Sequence, residues 1–391
     1  MLLSLALILL VGMSTGWICK KLGLPSLIGM LITGIVLGPF VLNLLDNSIL
    51  GISPELRRIA LIIILIRAGL NLNLDDLKRV GRPAILLCFV PALFEITGML
   101  LLAPKLLGVS LLDAAIMGTV VAAVSPAVIV PKMLQIMEEG YGKDKSIPQM
   151  ILAGASVDDV FVIVLFSVFT AIAQGQSVSI QSFVPIPISI LLGFFGGFFF
   201  GIILSKFFGK VHLRDTIKVL IMLSIAFVLV TIEDYYSSTI PFSGLISIMS
   251  MGIALSRKKS LVATRLSAKF SKLWVFSEIL LFVLVGATVD INYALSAGFI
   301  AILLIFGVLI FRIVGVSISL LGTNLNRKER LFTMIAYIPK ATVQAAVGGI
   351  PLALGLSSGN IVLTVAILSI LITAPLGAFL IEKTYRSYLS R

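Results

Sequence analysis

The sequence predicts an all-α polytopic membrane protein, and three observations carry that prediction. The chain has 391 residues, 59% of them hydrophobic and 12% charged, with a mean hydropathy of +1.15, whereas soluble domains carry about 25% charge. Its apolar residues form continuous runs of about 20, the length that crosses a bilayer as a helix, and not the short alternating strands of a membrane barrel. Its basic residues gather in alternate connections. With the N-terminus outside, Arg57, Arg58 and Lys105 lie outside, Arg67, Arg312 and Lys340 fall within runs, and every other Lys and Arg faces the cytoplasm. That bias sets the N-terminus outside and the C-terminus inside. It also accounts for the net charge of +12 without a nucleic acid as partner.

Thirteen runs follow in order, at about 1–19, 24–44, 57–72, 82–104, 112–135, 147–172, 183–206, 215–234, 240–257, 271–294, 296–322, 329–355 and 360–383. The first has no basic region before it and no small-residue cleavage site after it, so it reads as a mature helix and not a signal peptide. The third contains Arg67 and the tenth Glu278, either a second interhelical pair or gate residues. The fourth contains Glu95, the sixth Asp158 and Asp159, and the eleventh Arg312. The fifth and twelfth are interrupted by Pro126 and Pro339. Connections are too short for a soluble domain, which excludes a nucleotide-driven pump and a sensor with a signalling domain. Asp75, Asp76, Asp113 and Asp290 lie near run ends and read as interfacial, and His212 as a solvated loop residue. Cys19 and Cys88 suggest neither a disulfide framework nor a metal cluster. No cofactor, no nucleotide and no catalytic triad is expected. The chain reads as a transporter and not an enzyme, with the lipid bilayer as its medium. Short loops and lean termini suggest a prokaryotic inner membrane.

The chain aligns with itself at a constant offset. Phe94-Glu95-Ile96-Thr97-Gly98 matches Phe311-Arg312-Ile313-Val314-Gly315, Gly69 matches Gly286, and Asn73 matches Asp290. Pro126 and Pro339 correspond after a small further shift, and the second run is echoed by the ninth. The matched runs are an odd number of spans apart, so the second copy runs through the membrane upside down. Two inverted six-helix repeats joined by a linker helix at 183–206 are expected, and in such transporters the site lies between the repeats near the midplane.

Two adjacent acids inside a membrane run are costly and usually line a path for ions or protons. Asp158 and Asp159 cannot comfortably both be ionised without a cation nearby. Prolines in the middle of runs remove a backbone hydrogen bond, and interrupted helices in matching repeat positions point to a transporter's site. Pro126 and Pro339 are therefore read as helix breaks. Glu95 and Arg312, of opposite sign at matching repeat positions, are expected to pair. Lys340, just after the second break, is expected to neutralise Asp158. Asp159 then remains free to trade a proton for a metal cation, with Ser125, Ser156 and the carbonyls around Val124 as neutral oxygen donors. A transporter of organic anions on a similar scaffold would favour neutral or positive breaks, against which the two acids argue.

The strings PKATVQAAVGG, VSPAVIVP, GASVDD, IRAGLNL and FRIVG, with the acid at Glu95, resemble the NHA clade of cation/proton antiporters, within the monovalent cation:proton antiporter superfamily. The resemblance covers about residues 5–385. It implies a homodimer with two broken helices crossing near the double aspartate, and exchange by elevator-like alternating access. It assigns 1–72 and 215–294 to a dimer panel, and 82–172 and 296–383 to a mobile core. It also implies exchange of Na⁺ or Li⁺ for H⁺ at Asp159 and Asp158, Lys340 as an aspartate partner and Glu95–Arg312 as the core ion pair. Potassium/proton exchange or potassium efflux is the alternative on the same fold. Two departures leave the stoichiometry open. The electroneutral branch has Asn-Asp preceded by a glutamate, where this chain has Asp158 and Gly154. The electrogenic branch has a lysine in the tenth helix, and this chain has none in 273–294.

Overall fold

A computed structural model describes residues 1–71, 81–175, 185–236, 242–289 and 291–391. Among these residues the regular structure is helical, with no strand. In chain order the helices are α1 (Leu2–Lys21), α2 (Ser26–Leu37), α3 (Asn47–Gly51), α4 (Ser53–Asn71), α5 (Arg82–Leu87), α6 (Val90–Leu107), α7 (Leu111–Ala122), α8 (Pro126–Glu138) and α9 (Ile147–Ala173). They continue with α10 (Pro185–Lys210), α11 (Asp215–Tyr236), α12 (Gly244–Lys258), α13 (Ser260–Ala287), α14 (Ile291–Ser319), α15 (Arg327–Ala336), α16 (Thr342–Val347), α17 (Ile350–Ala353) and α18 (Gly359–Tyr388).

Among the described residues, eight helical segments are long and apolar enough to cross a membrane. They are Leu2–Lys21, Arg82–Leu107, Ile147–Ala173, Leu191–Lys210, Asp215–Tyr236, Ser260–Ala287, Gly298–Ser319 and Gly359–Tyr388. Three apolar stretches are shorter, Ser26–Leu37, Leu111–Ala122 and Thr342–Ala353, and each follows from a local breaker. The run at 24–44 is helical for only 12 residues, because Gly38 is extended ahead of Pro39 and a residue before proline is pushed out of the helical region. The runs at 112–135 and 329–355 are each divided near their proline.

The chain forms two compact units. The first comprises Met1–Pro54, Asp75–Gln174 and Ile279–Arg391. Within it α6 and α14 lie antiparallel in close contact. A methyl placed on Gly98 would stand 2.7 Å from the Phe311 ring, one on Gly307 2.8 Å from Leu102, and one on Gly315 2.8 Å from the Pro91 backbone. This contact sets Glu95 of α6 opposite Arg312 of α14. Small residues also join α1 to α2, where the Thr15 and Thr33 hydroxyls are 2.7 Å apart and Thr15 donates to the Gly29 carbonyl at 3.0 Å.

The second unit comprises Glu55–Leu74 and Gly175–Glu278. Its tightest contact is α10 against α12, and its signal is a GxxxGxxxG stripe at Gly193, Gly197 and Gly201, the small-residue spacing that lets apolar helices approach backbone to backbone. A side chain on Gly193 would meet the Ser243 carbonyl at 2.5 Å, one on Gly197 would collide with the Ser247 carbonyl, and one on Gly201 would meet the Met251 carbonyl at 2.5 Å. The matches advance in step along both chains, so the helices run parallel. Arg67 and Glu278 both belong to this unit, and no ion pair joins them among the described residues. Gly197→Leu is expected to destabilise the unit by about 1–3 kcal/mol through overpacking against backbone, read as a lowered melting temperature in detergent. Gly209→Ala, in the same unit, meets only the flexible end of Lys259 at 3.5 Å and is the near-silent control.

Candidate functional site

Two interrupted helices, both in the first unit, build the site. The first interruption falls between α7 and α8, where Ala123 (ψ 140°) and Ser125 (ψ 112°) are extended. Pro126 opens α8, a position where its missing N–H costs nothing. The second lies between α15 and α16, over Tyr337–Ala341. There the Pro339 ring fills the space beside Gly377 of α18, with Cδ 2.7 Å from where a side chain on that glycine would begin. The Ser125 N–H donates to the Pro339 carbonyl at 2.8 Å, so the two interruptions are bonded to one another.

Five ionisable side chains converge on this junction, three acids against two cations. Glu95 (1% exposed), Arg312, Lys340 and Asp158 are all buried, as is Asp159 at 8%. Arg312 is the hub. Its Nη1 donates to Glu95 Oε2 at 2.7 Å and to the Ala122 carbonyl, its Nη2 to Asp158 Oδ2 at 3.0 Å, and its Nε to the Tyr337 carbonyl at 2.7 Å. Asp158 Oδ2 also accepts from the Val124 N–H at 2.9 Å. The Lys340 ammonium donates to Glu95 Oε2 at 2.6 Å.

This arrangement corrects one pairing drawn from sequence. Lys340 does not contact Asp158 as an ion pair; it sits on Glu95, and Arg312 takes Asp158. The reason is local. The Lys340 backbone N–H is fixed by the Thr373 hydroxyl at 3.0 Å, and from there its side chain reaches Glu95, while the Arg312 fork spans both acids. The Glu95–Arg312 contact of 2.7 Å joins the residues matched by the internal repeat.

Asp159 stands apart from this pairing. Among the described residues it joins no ion pair, and its Oδ1 is buried without a hydrogen-bond partner. Ser125 Oγ is likewise buried and unpartnered. Ser156 lies on α9, but its side chain is outside the described residues, as are Asn73, Asp75, Asp76 and Asp290. Asp113 sits elsewhere in the first unit. Its carboxylate accepts from Ser110 and Ser358 beside a cavity of about 430 Å³ that contains neither aspartate of the pair.

Two participants escaped the sequence reading. Gln344, in the first turn of α16, donates its amide nitrogen to the carbonyls of Val121 at 3.1 Å and Ala123 at 2.9 Å. The signal was a polar residue one turn past a break inside an apolar run. Tyr337 packs its hydroxyl into the space a Gly154 side chain would occupy, one turn before Asp158. A buried phenol there leaves no room for the glutamate that the electroneutral branch carries.

A sequence model described as "Sodium/hydrogen exchanger, transmembrane" matches residues 5–383. Sodium/hydrogen exchanger 9B2 of Mus musculus is 33% identical over 378 residues, which cover 92% of this chain and 67% of the relative. The Homo sapiens protein of the same name is 35% identical over 375 residues, covering 92% of this chain and 68% of that one. Among solved structures, the sodium proton antiporter MjNhaP1 from Methanocaldococcus jannaschii superposes with a TM-score of 0.86 at 20% identity, covering 99% of this chain and 98% of that one. The eight membrane-length helices agree with this match over nearly the whole chain. The chain is a multi-pass membrane protein and belongs to the sodium/hydrogen exchanger family.

Proposed function

We propose that the chain is a secondary active antiporter exchanging Na⁺ or Li⁺ for H⁺ at Asp159, with Asp158 as companion acid. One observation carries this reading. At the junction of two interrupted helices a buried carboxylate, Asp159, joins no ion pair among the described residues, while Glu95 and Asp158 are each paired with a cation and Arg312 and Lys340 with an acid. A buried charge is untenable alone. Asp159 therefore holds either a proton or a metal cation, and those two occupied forms are the two halves of an exchange cycle. The names of the animal relatives and of the archaeal structure point the same way.

In this reading the chain has thirteen membrane helices in two inverted repeats about the linker at 183–206. The antiparallel contact of α6 with α14, whose glycines match at the repeat offset, supports it. Residues 1–72 and 215–294 form a dimer panel, and 82–172 with 296–383 form the moving core of a homodimer. Because the two interruptions are bonded to each other and share one set of charges, they travel as a unit, in keeping with an elevator-like motion. The N-terminus lies outside and the C-terminus in the cytoplasm of a plasma membrane, the inner membrane in a prokaryote. Cytoplasmic Na⁺ leaves as external H⁺ enters. Ion gradients suffice as the driving force, since one charge crossing 100 mV is worth about 2.3 kcal/mol.

Reconstitution in proteoliposomes tests the reading. Sodium added to vesicles with an imposed pH gradient is expected to release protons, and Asp159→Asn is expected to lose this response while remaining folded by size-exclusion profile. Normal sodium-dependent proton movement in that variant would remove Asp159 from the mechanism, and a response to K⁺ alone would replace the cation. Competition for one carboxylate also predicts that the KM for Na⁺ rises about tenfold per pH unit as acidity increases across the protonation range. A KM flat with pH contradicts a shared site. Finally, Glu95→Gln leaves Lys340 and Arg312 short of a negative partner and is expected to cost about 3–5 kcal/mol, read by thermal melting in detergent.

A further inference from the structure

An α-helix leaves its last carbonyls without intrahelical donors, and at the end of α7 those of Val121, Ala122 and Ala123 lie at the ion junction. All three are closed by side chains from beyond the second repeat's start. Gln344 Nε2 takes the outer two, at 3.1 Å and 2.9 Å. Arg312 Nη1 takes the middle one, with Lys340 Nζ 3.5 Å away. The Gln344 side chain is fully buried, and its amide cannot turn over. The flipped form would set Oε1 against two carbonyl oxygens and strip both of their donor. Its orientation is thus fixed by its partners. Among the described residues, the oxygens this junction leaves without hydrogen-bond partners include Gln344 Oε1, Thr342 Oγ1, Ser125 Oγ, Asp158 Oδ1, Asp159 Oδ1 and the Tyr337 hydroxyl.

We infer that Gln344 is a positioning residue that sets cation selectivity by withholding the Val121 and Ala123 carbonyls from the transported ion. This rests on the exchange reading above. A site that meets the ion with many backbone carbonyl dipoles suits a larger, weakly hydrated cation such as K⁺. A site with few oxygens, one of them a carboxylate, suits Li⁺ and Na⁺, whose dehydration demands a stronger field. By occupying two carbonyls, Gln344 keeps the junction in the second class. Its removal leaves both carbonyls without that donor at the junction where the exchange reading places the ion, and the preference moves toward the larger ion.

The test is exchange in proteoliposomes with Li⁺ and Na⁺ separately, comparing wild type, Gln344→Leu and Gln344→Asn. The ratio of the KM for Li⁺ to that for Na⁺ is expected to rise about fivefold or more in Gln344→Leu, the scale set by leaving buried polar groups unpaired. It should rise less in Gln344→Asn, whose shorter amide still reaches one carbonyl. A purely structural role would lower the rate for both ions and leave the ratio fixed, and an unchanged ratio in the folded variants overturns the inference. Should Gln344→Leu fail to fold, the Asn variant decides by the same ratio. Wild-type vesicles with no cation-driven proton movement would instead overturn the exchange reading beneath it.

Discussion

The Arg312 guanidinium is the constraint on which the rest of the first unit turns. It is buried, carries a charge that no membrane interior tolerates alone, and distributes its donors over Glu95, Asp158 and the carbonyls of Ala122 and Tyr337. Two of those acceptors are backbone groups that the helix interruptions set free. A continuous helix past Pro339 would close the Tyr337 carbonyl on the Ala341 N–H and take that acceptor from the guanidinium, whereas Pro126 has no N–H to offer the Ala122 carbonyl and leaves it to the arginine. The breaks and the arginine are therefore mutually dependent: each supplies what would otherwise be a buried, unsatisfied polar group in the other. Lys340 extends the same logic by adding a second cation to Glu95, so that one acid serves two cations and Asp159 is left over.

On the proposed function, that surplus of one acid is what turns a structural network into a site for exchange. If all three acids and both cations were matched, the junction would be inert. An odd buried acid needs a positive charge, and a proton or a metal ion can supply it. In the exchange proposed above, the fixed pairs hold the oxygen atoms in place while the unpaired carboxylate changes its occupant. On that reading stability and transport draw on the same residues, which is why a substitution that merely breaks a pair and one that removes the exchanging acid must be separated by their different readouts.

Much of this was legible in the sequence. The membrane class followed from composition and run length, and the acids at 158 and 159 with the prolines at 126 and 339 stood out because polar groups and helix breakers are conspicuous in apolar surroundings. The internal offset brought Glu95 and Arg312 to mind as partners. What periodicity could not give was reach. Whether Lys340 meets Asp158 or Glu95 depends on where an extended segment sets its Cα and on which neighbours already occupy each carboxylate oxygen, and neither quantity is written in residue spacing. Run length also overstated the helix at 24–44, where the restriction imposed by Pro39 outweighs hydrophobicity. Gln344 was passed over because an uncharged amide carries no alarm in a hydropathy profile, although its position one turn past a break carried the information. The glycine stripe at 193, 197 and 201 was equally readable as a packing code.

The notch at Gly377 has a consequence of its own. Helix α18 runs for 30 residues and carries Pro375 two positions before this glycine. The Pro339 ring seated against Gly377 acts as a key in a slot: no larger side chain fits there, so this face of α18 stays against the unwound segment that carries Lys340. With the Thr373 hydroxyl one turn away holding the Lys340 N–H at 3.0 Å, this stretch of α18 is the wall that sets where the lysine's backbone stands.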